Sequence, residues 1–275
     1  MSLALALRMA LAPTLVAVAT LLARRWGAPA AGWAASTPVV AGPVLLVVAS
    51  DHGTLFGSQA AGSATLGLVS LAIFTVVYAR LGGAGLPWAA CLIAGWASFV
   101  VATLFLSMFT VPTLWALVTA VVAFRVCRLT LGTGEDASAD ARRLPGDIPL
   151  RMTAALLMVA TLAVVAGMLG PRLSGLLTPF PIIGSVMAVF THVTRGRGAL
   201  GGYSDALLKG LPSFALFTAT VGLMIVPLGM AAAFILATLV AAVSHTALIY
   251  LDVRSSGGRE DLPPTRAPGV GSIDR

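Results

Sequence analysis

Charge is scarce in this chain: 10% of its 275 residues are Asp, Glu, Lys or Arg, against roughly a quarter in a soluble domain. Lysine is nearly absent, with Lys209 alone against sixteen arginines. Cysteine is also scarce. Cys91 lies inside one apolar run and Cys127 closes another, so neither a disulfide framework nor a cysteine metal cluster is indicated. There is no His-Glu-x-x-His pair and no glycine-rich phosphate loop ending in Lys. Gly202-Tyr203-Ser204-Asp205 sets a serine beside an acid but lacks the nucleophile-elbow pattern. These absences point away from soluble catalysis. No enzyme activity, cofactor or metal is expected, and a lipid-acting enzyme would have to use dispersed residues.

What the chain has in excess is hydrocarbon: 58% of residues are hydrophobic and the mean hydropathy is +0.98. Apolar runs recur at the length of about 20 residues that a helix needs to cross a hydrocarbon core of about 30 Å. In lipid each spanning segment must satisfy its own backbone hydrogen bonds, and continuous rather than alternating runs select helices over a barrel. Spans are expected at Leu3 to Ala23, Trp33 to Ser50, Ala60 to Ala79, Pro87 to Leu106 and Thr110 to Phe124. After a linker, four more run from Leu150 to Leu169, Gly175 to Val193, Leu207 to Leu228 and Met230 to Leu251. The expected fold is all-α and polytopic, with about nine transmembrane helices. Leu129 to Pro149, which holds Glu135, Asp136, Asp140, Arg142 and Arg143, reads as a solvated linker. Arg254 to Arg275 reads as a disordered cytoplasmic tail.

A net charge of +7 would suit nucleic acid, but the basic residues are scattered at span ends instead of sharing one face, so no nucleic-acid partner is expected. Their distribution reads as topology, because cytoplasmic loops carry the excess Arg and Lys. With the N-terminus outside, Arg24, Arg25, Arg80, Arg125, Arg128, Arg142, Arg143, Arg151, Arg195, Arg197, Lys209 and the tail arginines are cytoplasmic. Only Arg172 stays outside. Arg24-Arg25 follows the first apolar run, which favours a retained helix over a cleaved leader.

An internal repeat emerges when the segment from Gly32 is laid over the segment from Gly175. Ser36-Thr37-Pro38-Val39-Val40-Ala41-Gly42 falls on Pro179-Phe180-Pro181-Ile182-Ile183-Gly184-Ser185, and Asp51-His52-Gly53 falls on Thr194-Arg195-Gly196. A small insertion then brings the Gly57 region onto Gly202. Residues 1–106 thus read as a first four-helix repeat, 107–149 as a linking span with a polar loop, 150–251 as a second repeat and 252–275 as the tail. The second copy begins five spans after the first, and an odd number inverts it. Inverted repeats are typical of secondary transporters, whose site lies at the repeat interface among broken helices.

Those broken helices supply the candidate site. Pro38 interrupts the second span, with Ser36, Thr37 and Gly42 beside it; Pro179 and Pro181 interrupt the seventh, with Thr178, Phe180, Gly184 and Ser185 beside them. Each proline removes a backbone donor and frees a carbonyl. Two readings stay open: a substrate site between the breaks, or ordinary kinks whose carbonyls are satisfied by neighbouring hydroxyls. His192 and His245 are candidates for a proton or polar relay, or for neutral hydrogen bonding between helices. Asp205 and Lys209 have the spacing of a local i,i+4 pair.

Leu176-Leu177-Thr178-Pro179-Phe180-Pro181, followed by an apolar run, His192 and an Arg-Gly loop, resembles the GlpM family of bacterial inner-membrane proteins. The resemblance implies a bacterial inner-membrane location and a chain built as a fused, inverted GlpM-like pair. The functional expectation is a secondary transporter or exporter of a small, weakly charged or amphipathic molecule. The alternative is a non-transporting membrane subunit that assists envelope polysaccharide or lipid synthesis. The expected partners are the lipid bilayer and a small-molecule substrate, and a monomer is the expected state.

Overall fold

The computed structural model describes residues 3–39, 41–131, 147–166 and 171–260, and every element in them is helical. The order is α1 (Leu3–Trp26), α2 (Ala28–Ala35), α3 (Ala41–His52), α4 (Thr54–Gly83), α5 (Trp88–Ser107) and α6 (Thr113–Leu131). It continues with α7 (Asp147–Ala166), α8 (Pro171–Leu177), α9 (Ile182–Arg195), α10 (Arg197–Leu228) and α11 (Met230–Glu260). Among the described residues six segments are long and apolar enough to cross a membrane. They are α4, α5, α6, Gly175–Arg195, α10 and Met230–Ser255 within α11. The chain therefore has the helices of a multi-pass membrane protein.

Both central helices are longer than hydropathy alone suggests. Helix α4 begins at Thr54, before Ala60, and α10 begins at Arg197, before Leu207. Gly53 and Gly196 precede them with φ of 90° and 77°, a region open to glycine, and this lets each chain turn sharply out of α3 or α9 into a new helix. The added turns contain Gly57, Ser58, Gln59, Gly201, Gly202 and Ser204, which lower hydropathy yet fit tight helix contacts.

Helices α4 and α10 form the centre, with 78% and 56% of their apolar windows buried, against 22% for α5 and 17% each for α6 and α11. They run antiparallel: Ser58 Oγ donates to the Gly222 carbonyl at 2.6 Å, Thr65 Oγ1 donates to Thr218 Oγ1 at 2.8 Å, and Gly82 lies against Leu200. With little lipid-excluding force to gain, such helices associate through small residues and close packing. Helix α2 packs on α10 and α8 on α4, each at glycine-lined contacts.

Basic side chains gather at one end of the bundle. There Arg195 donates to the Ala23 carbonyl, Arg80 to the Thr130 carbonyl and Arg197 to the Gly85 carbonyl. Arg151, expected at the cytoplasmic end of the span that begins at Leu150, is buried. It lies on α7 at 5% exposure with its guanidinium 4.3 Å from the Phe190 ring centroid, a cation–π contact that compensates part of the desolvation. Helix α11 also continues to Glu260, so 254–260 are helical where a disordered tail was expected; the Asp252–Lys209 ion pair and Ser255 bonding to the Asp252 carbonyl hold that turn. Most of the linker (132–146) and the rest of the tail (261–275) lie outside the described residues.

Candidate functional site

The two helix breaks face one another. Thr37, at the break between α2 and α3, and Thr178, Pro179, Phe180, Pro181 and Gly184, around the break between α8 and α9, line one cavity of about 40 Å³. Leu71 of α4 and Phe214 of α10 close it, so both central helices contribute a wall. No charged side chain lines it. The polar groups it offers are the threonines and the backbone of the breaks.

Each break is held by short-range bonds. At the first, Ser36 Oγ donates to the Trp33 carbonyl and Thr37 Oγ1 to the Ala34 carbonyl, both at 2.7 Å, capping the end of α2. The Gly42 amide restarts the ladder by bonding to Pro38 at 2.8 Å. At the second, the Phe180 amide reaches Leu177 at 2.9 Å, and the Ser185 amide reaches Pro181 at 2.7 Å. The hydroxyls of Ser36 and Thr37 therefore do the work expected of a stabilised kink, and Thr37 also fronts the cavity.

The remaining predicted residues sit nearby but outside the lining. Ser36 is buried against Gly210, Gly42 faces the Phe217 ring, and Pro38 is half-buried at the break. Ser185 accepts a bond from Trp96 Nε1 at 2.9 Å, which ties α5 to α9. The Gly184 carbonyl accepts from the Tyr203 hydroxyl at 3.0 Å, which ties α10 to the same break. Phe180 packs edge-on to Phe99, with centroids 5.3 Å apart.

The two histidines occupy different surroundings. His245 Nδ1 is 2.9 Å from Ser213 Oγ and edge-on to Trp33. Ser213 Oγ also donates to the Gly210 carbonyl at 2.7 Å, so the contact ties α10 to α11. His192 Nδ1 and the Tyr78 hydroxyl are both buried without a hydrogen-bond partner among the described residues, and their rings meet edge-on at 6.1 Å. Tyr78 is one of only three tyrosines, and that rarity in an apolar run was its sole sequence signal.

Asp205 and Lys209 form the anticipated pair at 2.5 Å, extended by Arg128 on α6 at 2.7 Å and Asp252 on α11 at 2.5 Å. This four-residue chain joins three helices at the basic end. No His, Cys, Asp and Glu grouping suited to a metal occurs among the described residues.

Fold and cavity together define an all-α protein of the multi-pass membrane class with paired broken helices at its centre. No family model, curated protein or solved structure matches the chain.

Proposed function

We propose that this protein is a secondary transporter of a small, neutral or weakly charged molecule, and that its halves are inverted copies meeting at the cavity between the breaks. One observation carries the reading: the close contacts repeat with a constant register. Gly32 lies against Tyr203 and Ala206, and Gly175 against Ala60 and Ser63. Gly210 lies against Ser36, and Gly67 against Pro179. Gly82 lies against Leu200, and Gly57 against Ile225. Every residue in the second half is 143 positions beyond its counterpart in the first: 32 and 175, 60 and 203, 63 and 206, 67 and 210, 36 and 179, 57 and 200, 82 and 225.

Because α4 and α10 are antiparallel, an operation that exchanges them is a two-fold rotation across the helix axes. That is the symmetry of inverted-repeat transporters, whose site lies between discontinuous helices. Helices α2 with α3 and α8 with α9 then each count as one broken span, and α6 joins the copies. The register also removes the small insertion: Gly57 corresponds to Leu200, not Gly202. The basic end supports a cytoplasmic placement of that end in a bacterial inner membrane, with the N-terminus opposite. The GlpM-like motif at Leu176 to Pro181 fits each half being one such unit.

A cavity of about 40 Å³ holds one or two water-sized groups. A larger substrate requires the breaks to separate. The test is melting of the detergent-purified protein against a metabolite panel, with Thr37→Val and Thr178→Val alongside, followed by flux in liposomes. A ligand at about a hundred times its Kd adds roughly 2.7 kcal/mol. Flux of the stabilising compound by wild type is expected, with the ligand-induced stabilisation lost in both variants while their unliganded melting stays cooperative, lowered in Thr37→Val by about 0.5–1.5 kcal/mol for the lost bond to Ala34. Cooperative melting with neither stabilisation nor flux would refute the proposal.

A further inference from the structure

A second cavity, about 380 Å³, opens between the C-terminal ends of α6 and α11, with α10 as its floor. Its volume lies in the range of ligand-sized pockets. Arg125 and Arg128 from α6 and Lys209 from α10 reach it, together with Asp252 from α11. Phe124, Leu248 and Leu251 provide apolar wall.

The charges do not cancel. Arg128 is bonded to Asp205, and Lys209 to both Asp205 and Asp252. Arg125, exposed and one turn from Arg128, has no ion-pair partner among the described residues. Among the described residues, three cations against two carboxylates leave one positive charge at the groove, on Arg125.

The surroundings fix the rest of the occupant. Helices α6 and α11 are each only 17% buried over their apolar windows, and Leu251 at the mouth is 60% exposed. The groove thus opens sideways between two apolar, lipid-facing helices, at the end where the basic residues collect. A soluble anion would satisfy the guanidinium and leave the apolar wall bare. An amphiphile with an anionic head and hydrocarbon tails satisfies both.

We infer that this groove binds the phosphate headgroup of an anionic phospholipid, with Arg125 as its principal contact and the acyl chains lying between α6 and α11. The inference rests on the groove alone and holds whatever occupies the cavity between the breaks.

The experiment compares wild type, Arg125→Gln and Arg25→Gln in a neutral detergent, by melting and native mass spectrometry. Added probes are a phosphatidylglycerol, a phosphatidylcholine with the same chains, and inorganic phosphate. Arg25 is exposed at the same end beside Trp26 and outside the groove, so it reports general charge attraction. Retention and stabilisation by phosphatidylglycerol but not by the other two are expected, with apparent affinity about fivefold weaker in Arg125→Gln and unchanged in Arg25→Gln. Equal weakening in both variants, no preference for the anionic lipid, or an equal response to inorganic phosphate would each overturn the lipid assignment.

Discussion

An alanine at Gly32 tests one of the tightest helix contacts among the described residues. Its Cβ would stand 2.9 Å from both Ala206 Cβ and the Leu207 amide nitrogen, with the Tyr203 carbonyl nearer still. Ordinary contact begins at 3.4 Å, so α2 must retreat by at least about 0.5 Å. The obstacles belong to the α10 backbone and a Cβ, so no flexible side-chain end can swing away, and α2 has to tilt or lift as a unit. Lifting it also pulls Ser36 from Gly210 and reshapes the break that carries Thr37. Overpacking of this kind costs about 1–3 kcal/mol. Part is returned by the helix propensity of alanine, about 1 kcal/mol over glycine. Gly83→Ala isolates that return, because a Cβ there meets nothing within 4 Å. Melting in detergent followed by tryptophan fluorescence should place Gly32→Ala below wild type and Gly83→Ala at or slightly above it. Gly175→Ala, whose Cβ would lie 2.7 Å from Ser63 Cβ, should fall with Gly32→Ala. If all three variants melt together, tight packing of α2 and α8 on the central pair is not what holds the bundle.

Two further outcomes follow from the polar contacts. Thr65→Val removes the donor to Thr218 across the α4–α10 seam while keeping the shape, and should cost about 0.5–1.5 kcal/mol in melting; no change would mean that the seam relies on packing alone. Lys209→Met removes two ion pairs whose carboxylates are only 26% and 24% exposed, so rehydration is restricted and the loss should be about 1–3 kcal/mol. Measured with and without 1 M salt, the difference from wild type should shrink in salt, and a salt-independent loss would contradict an electrostatic origin.

Much of the architecture was legible because lipid imposes a simple rule on a span. Continuous apolar runs located the long helices, and Pro38, Pro179 and Pro181 located the breaks, since proline removes a donor wherever it stands. Helix ends were less legible. Ser58, Gln59, Ser204 and Asp205 dilute hydropathy, yet they belong to α4 and α10 because Ser58 bonds to Gly222 and Asp205 to Arg128. The burial of Arg151 was not legible because its compensating Phe190 ring lies on another helix. Trp96 escaped notice for the same reason: its partner Ser185 is 89 residues away, and no local pattern marks such a pair.

The proposed repeat shows most sharply why residue matching and matching by contact diverge. Matching glycine to glycine set Gly57 against Gly202 and required an insertion. In the structure Gly57 is a hollow that receives the Ile225 side chain, and Gly82 is a hollow that receives Leu200. Under the proposed exchange of halves, hollow 57 maps onto projection 200 and hollow 82 onto projection 225. Equivalent positions therefore hold opposite residue types by necessity, since each contact needs one small and one large partner and both hollows lie on α4. A two-fold relation between antiparallel helices preserves the contact while inverting the sequence signal at every such site. Along the α4–α10 seam the proposed repeat is therefore masked in sequence, whereas it stays visible where α2 and α8 meet the central pair, as Gly32 with Gly175 and Gly67 with Gly210, and at the breaks, as Pro38 with Pro181.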